Sequence, residues 1–251
     1  MNVSNFMKIV SSLTLLSMCS LASSNAALSA DKAPAAQVGG GFFVGLHAGA
    51  GVGKTNWIDG GVGPLGGHNQ QGAIGGVNAG YLIPAFDWLV GVDGSFSFMN
   101  IKGEHLDGVF NQVGWAGPAL EYDESKARWL ATAAIRAGKD IGSGHVYVKA
   151  GLAQQRQNYS LVGYFSPGVT FASTSVNRQG LLLGAGVEHM IQANWSLFAE
   201  YNFVQFGNTR EHLACAPGYA NCGGPSTTSV AIKISNVTQI AKIGLNYRFG
   251  H

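Results

Sequence analysis

From Leu181 to Phe206 the side chains alternate in character. Leu181, Leu183, Ala185 and Val187 share one face of an extended chain, and Leu182, Gly184, Gly186 and Glu188 share the other. After the break Met190–Asn194 the alternation resumes. Trp195, Leu197, Ala199, Tyr201 and Phe203 now oppose Ser196, Phe198, Glu200, Asn202 and Val204. A period of two is the signature of a β-strand, and so short a break is a hairpin turn. One face of this hairpin is wholly apolar. The other mixes small residues with carboxylates.

The same pattern predicts strands over about 42–53, 72–83, 88–98, 128–138, 145–154 and 236–249, which makes eight in all. Between them lie long connections (54–71, 99–126, 155–177, 207–235) and short ones (84–87, 139–144, 190–194) in strict alternation; within 155–177 a hairpin extension breaks at Pro167-Gly168. The apolar face of the eight strands carries no charged residue; its polar members are His189 and Gln239, near strand ends. The opposite face carries Asp93, Arg136, Lys149, Glu188, Glu200, Lys242 and Arg248. Aromatic residues bracket the apolar face, with Tyr81, Trp88, Trp195, Tyr247 and Phe249 toward one end and Phe98, Trp129 and Phe203 toward the other.

A soluble sandwich would bury the apolar face and wet the polar one. A membrane barrel reverses this: the apolar face meets lipid and the polar face lines the lumen, with aromatic girdles and alternating long and short connections. Lipid also forbids an open sheet edge, because every backbone N–H and C=O must be paired. The expected fold is therefore all-β, an eight-stranded antiparallel up-and-down transmembrane β-barrel over 42–251. The seven charged residues are expected to form a mixed-sign lumen network, since buried charges need partners.

Composition agrees. Charged residues are 11% and glycines number 37 of 251, against about 25% charged residues in soluble domains. Mean hydropathy is +0.13, yet no internal run of about 18 apolar residues would make a spanning helix. With no basic run, the net charge of +2 gives no reason to expect nucleic acid. Lys8, the apolar run 9–22 and Ser24-Asn25-Ala26 read as a signal peptide cleaved after Ala26. Residues 27–41 read as a flexible periplasmic lead-in. In an exported chain the close pair Cys215 and Cys222 is expected to form a disulfide.

Gly184-Ala185-Gly186-Val187-Glu188, Asn194-Trp195-Ser196-Leu197, Ala199-Glu200-Tyr201 and Phe206-Gly207 resemble the signature hairpin of alphaproteobacterial eight-stranded outer-membrane proteins. That group comprises porin-like surface antigens and haemin-binding outer-membrane proteins. Gly244–Phe249 is similar to its closing strand, and Gly75-Gly76 to Gly80-Tyr81 to its second. Phe198 departs from the family's frequent basic residue, and Gly250-His251 follow the aromatic end that assembly machinery reads. The resemblance implies the outer membrane as location, lipids and lipopolysaccharide as surroundings, the barrel-assembly machinery as a partner of the last strand, and host or surface ligands for the loops.

Ala48–Thr55 matches a relaxed phosphate-loop pattern, but Asn56–Pro64 cannot form the helix that such a loop needs. No serine–histidine–carboxylate pattern is evident, so no enzymatic activity is expected. His68, His105 and His212, in the expected external connections, are the candidates for haemin ligation. No other cofactor, metal or catalytic residue is expected. Eight strands leave a lumen filled by side chains. The reading is thus a non-enzymatic barrel for envelope integrity and surface interaction; the alternative is a haemin or small-ligand receptor, followed by a lipid A-modifying enzyme or a narrow porin.

Overall fold

Eight antiparallel strands close into one barrel in the order β1-β2-β3-β4-β5-β6-β7-β8, with β1 also paired to β8. The computed structural model describes residues 40–59, 63–106, 122–163, 168–219, 222 and 227–249. The expected signal peptide and all but the last two residues of the lead-in lie outside the described residues. Gly41 already belongs to β1.

The strands are β1 Gly41–Asp59, β2 Gly63–Ala85, β3 Trp88–Leu106, β4 Tyr122–Asp140, β5 Gly144–Val162, β6 Thr170–Met190, β7 Trp195–Cys215 and β8 Ser229–Phe249. At one end the connections are short: 86–87, 141–143 and 191–194. We call this the lower end. The first of these turns is held by Phe86 in the left-handed region (φ 55).

The outward face of the lower two thirds is apolar. On β1 it runs Phe42, Val44, Leu46, Ala48, Ala50 and Val52, and all six are exposed. Ten residues of strand cover about 33 Å at 3.3 Å per residue. Tilted by roughly 40°, they stand about 25 Å tall, the height of a lipid-facing band. Stacked rings mark both margins. Trp195, Tyr247, Phe249 and Phe42 form a chain of contacts below, with centroids 4.9–5.6 Å apart. Phe98, Phe96 and Trp129 form another above, at 5.2 and 5.8 Å. Just above the apolar band the exposed positions become amides: Gln71, Gln154, Gln179 and Gln205.

The strands do not stop there. The residues expected as long connections are largely strand: β1 and β2 run on to Asp59 and Gly63, β3 and β4 to Leu106 and Tyr122, β7 and β8 to Cys215 and Ser229. In this upper part the sense of the barrel inverts. Trp57, Leu65, Tyr159, Leu161, Phe171, Leu213, Ile232 and Ile234 point inward and are buried together. Lys54, Asn56, Lys102, Glu104, Asn177 and Lys233 point outward into solvent. A water-facing wall needs polar residues outside, as in any soluble barrel, and that requirement flips the pattern at the lipid margin. The expected boundaries ended early because they followed only an outward apolar stripe.

Candidate functional site

The lumen is built from the inward face of the lower strands. Glu188 on β6 is one hub. Its Oε2 accepts from Arg136 Nη2 at 2.5 Å; its Oε1 accepts from Ser196 Oγ at 2.5 Å, Arg248 Nη2 at 2.8 Å and Asn246 Nδ2 at 3.1 Å. Arg136 also stacks its guanidinium 3.5 Å from the Tyr147 ring centroid and donates to His145 Nε2. Glu200 on β7 is the second hub. Lys149 and Lys242 each place Nζ 2.9 Å from its Oε1, Asn202 donates to the same oxygen at 2.8 Å, and Tyr147 Oη donates to Oε2 at 2.9 Å. Lys149 also reaches Asp93 Oδ1 at 3.2 Å.

Thus all seven charged residues singled out in the sequence line the lumen, each at most 8% exposed. Glycine makes the room for them. A Cβ on Gly184 would sit 3.0 Å from the Lys149 side chain, and one on Gly186 would sit 2.5 Å from Tyr147 Cζ. The space left among Phe43, Asn78, Asp93, Lys149, Glu200 and Lys242 is about 10 Å³, at the limit of a single water.

Above this charged floor comes an apolar layer: Ile74, Met99, Leu130, Leu182, Val204, Phe206 and Ile240 are packed and buried. Above that lies a polar layer. Gln157 donates to Gln70 at 3.2 Å, Gln70 donates to Thr55, and Arg178 donates to Tyr159 Oη at 2.8 Å and to the Ile234 carbonyl at 3.1 Å. The inverted apolar core closes the top. The lumen is therefore stoppered at four successive levels.

The structure separates the three candidate histidines. His68 and His105 face inward in the upper barrel, their Nδ1 atoms 2.8 Å apart, with His105 Nε2 3.1 Å from Asp123. Trp57 packs on both rings at 6.4 and 6.5 Å. Burial, then the neighbouring His105, lowers the pKa of His68 to about 4, so it is neutral at physiological pH. His212 lies on the outward face of β7, exposed. The first two form one buried cluster and the third stands apart from it. Among the described residues, no group of three His, Cys, Asp or Glu side chains has the arrangement of a metal site. Asp123 was not foreseen, because its 18-residue distance from His105 follows no local pattern. Ala48–Thr55, the phosphate-loop look-alike, lies wholly within β1. Cys215 and Cys222 are joined by a disulfide beside the upper end of β7.

A family model described as "Outer membrane protein beta-barrel domain" matches residues 12–249. No curated protein matches the chain significantly. Among solved structures, the chain is similar to outer membrane protein OprG from Pseudomonas aeruginosa, at 11% identity over 84% of this chain and 97% of that one, with a TM-score of 0.49. It is similar to Neisserial surface protein A, at 16% identity over 81% and 97%, with a TM-score of 0.38. The attachment invasion locus protein Ail of Yersinia pestis, solved with a heparin analogue, matches at 14% identity over 83% and 99%, with a TM-score of 0.36.

Proposed function

Because the chain belongs to the outer-membrane β-barrel domain family, we propose that it is a non-enzymatic wall element of the outer membrane, contributing to envelope integrity and meeting its ligands through the upper barrel and its connections. The observation that carries this reading is the stoppered lumen. Among the described residues the lumen is packed with side chains at four levels, and its charges are paired with one another, which favours a wall over a conduit. What remains available for interaction is the outer surface: the lipid-facing band and the polar upper wall. The signal peptide expected over 1–26 fits the reading of an exported chain. The sequence resemblance to alphaproteobacterial surface antigens favours the same role, with β8 as the strand that assembly machinery reads.

Planar-bilayer recording and a deletion strain test it together. We expect no stable single-channel steps from the refolded barrel. We expect the deletion strain to become more permeable to a large apolar dye, and complementation to restore the barrier. Reproducible steps of uniform conductance would replace this reading with a porin. An unchanged barrier in the deletion strain would remove the envelope role.

A further inference from the structure

The ring of strands is not laddered at every height. β6 and β7 pair continuously from Met190 with Ser196 up to Gly180 with Phe206, and next at Ser173 with Ala214 and Ala172 with Cys215. Between those points residues 174–179 of β6 and 207–213 of β7 have no ladder partner in each other. On their far sides β6 stays paired to β5, and β7 from Thr209 onward to β8. In an antiparallel pair alternate residues turn N–H and C=O toward the neighbour, so about three residues on each edge face this seam with no strand to receive them. The seam begins just above Gln179 and Gln205, where the lipid-facing band ends. That placement has a physical reason: lipid does not tolerate an unpaired backbone group, and water above it does.

Local features keep the seam open. β7 slips register against β8 between Phe206 and Thr209, and a bulge bends the strand that carries it. A Cβ on Gly207 would meet no atom within 4 Å. At the foot of the seam Arg178 of β6 donates to the Gly207 carbonyl on β7 and to the Ile234 carbonyl on β8, the latter at 3.1 Å. A side chain, not a ladder, bridges the strands there. Thr174, Val176, Thr209 and Glu211 are inward in phase yet half-exposed. Tyr159, Ile232 and Ile234, at the same height on β5 and β8, are sealed. Solvent therefore reaches between the two edges. The ladder between β2 and β3 also stops, above Gln71 with Lys102. There, however, His68 meets His105, and a Cβ on Gly103 would collide with the Asn69 carbonyl, so that seam is filled.

An unpaired strand edge is a template for another chain. The wall around this edge selects by charge. Arg156, Arg210 and Lys233 stand outward on β5, β7 and β8, and Arg210 and Lys233 are direct cross-strand partners. From β5 to β8 no outward carboxylate accompanies them among the described residues. We propose that the seam receives an extended acidic segment of another protein, which adds as a strand to the free edge of β7. Backbone bonds to residues 207–213 hold it in place, and the period of two divides its side chains. Its carboxylates lie outside, beside Arg210 and His212. Its small apolar residues point inward, toward Val176 and Leu213. An acidic glycan would match the charge but not the row of backbone donors and acceptors. The proposal rests on the reading that the upper barrel meets ligands, and it gives that surface a partner of stated chemistry.

The test uses the full chain refolded into nanodiscs of zwitterionic lipid, with no competing anionic lipid. The probe is a capped synthetic peptide of alternating glutamate and valine that carries a dye for fluorescence anisotropy, and saturable binding is expected. The same peptide N-methylated throughout keeps its charge and has no amide donors, so it should not bind. The double variant Arg210→Ala, Lys233→Ala is compared with Lys102→Ala, Lys126→Ala on β3 and β4. Opposite-charge neighbours across a ladder each contribute up to about fivefold in affinity, so the first variant should bind on the order of tenfold more weakly. The second should bind as the parent does. Absence of saturable binding, equal binding of the N-methylated peptide, equal binding of a sulfated oligosaccharide of matched charge, or an equal effect of the two double variants would each overturn the proposal. So would native mass spectra of barrel dimers that exclude the peptide, which would give the seam to a second copy. Heat-modifiable electrophoretic migration of the same samples reads insertion separately. If the parent chain fails to insert, the outer-membrane reading fails with it, whereas an adverse peptide result on an inserted barrel sinks only the strand-addition site.

Discussion

Replacing Glu188 with alanine removes the carboxylate that joins Arg136 and Arg248. Both guanidinium groups are nearly sealed from solvent, with side-chain exposures of 3% and 5%. A hydrogen bond to a charged group contributes about 1.5–3 kcal/mol. Two such bonds, at 2.5 and 2.8 Å, put the loss at about 3–6 kcal/mol. That range brackets the roughly 3–5 kcal/mol lost when one member of a buried ion pair is removed. Arg136 keeps its stack on Tyr147, so we expect about 3 kcal/mol. Glu188→Gln, which preserves an acceptor for Ser196 and Asn246, should lose less. The assay is equilibrium guanidinium unfolding of the vesicle-inserted barrel, followed by tryptophan emission and heat-modifiable migration. Removing Arg248 as well should return about 1 kcal/mol or more, since the orphaned cation goes with it. If Glu188→Ala unfolds within about 1 kcal/mol of the parent, or if the double variant shows no coupling, the hub is not what holds the lumen together.

Val92 is outward and 57% exposed while its neighbour Asp93 is buried; Val92→Lys should cost roughly 2–4 kcal/mol, Asp93→Asn less, and an environment-sensitive fluorescent dye at 92 should be quenched by acyl-chain quenchers and not by water-soluble ones. Gly186→Val should push Tyr147 off Glu200, because a Cβ there meets Tyr147 Cζ at 2.5 Å; a loss of roughly 1–3 kcal/mol is expected in the same unfolding assay. The folded state keeps His68 neutral down to about pH 4, whereas an ordinary histidine protonates near 6.5. Its contribution is therefore intact above about 6.5 and is lost as pH falls from there to about 4. The unfolding midpoint should drop between pH 7 and 4.5 in the parent and drop less in His68→Gln; equal drops would clear His68 of the effect. Alkylation of the exported protein without reductant should leave Cys215 and Cys222 unlabelled, and labelling of both would show that the bridge does not form in the cell envelope.

The lower barrel was legible because lipid demands one unbroken apolar face, and period two displays it. From Leu181 to Phe206 both the hairpin and its orientation followed from residue character alone. The upper barrel was missed for a related reason. In β8, Ile232 and Ile234 keep the inward phase of Ile240 and Lys242, with Lys233 between them. The alternation never breaks; only its polarity changes, so a search for outward apolar residues ended at Val237. Trp57 and Tyr159 were assigned to connections on the same logic, although they meet edge to face at 5.5 Å in the upper core. The cluster of His68, His105 and Asp123 depends on register between strands distant in sequence, which residue spacing does not carry. The inward position of the lumen charges, by contrast, depends only on the period-two phase of each strand.

The continuation of the strands beyond the amide belt sets an elevation. From Gln154 to Val162, β5 rises eight residues above the lipid margin. At 3.3 Å per residue and a tilt near 40°, that is about 20 Å. The upper strand ends, with the Cys215–Cys222 disulfide beside that of β7, thus form a stiff parapet of hydrogen-bonded strand that stands clear of the membrane. Anything that approaches the barrel from this side meets the upper strand ends before it meets the bilayer. The inverted core lets the parapet stand: without Trp57, Leu213 and their neighbours sealed inside, strands above the lipid would have nothing to close around.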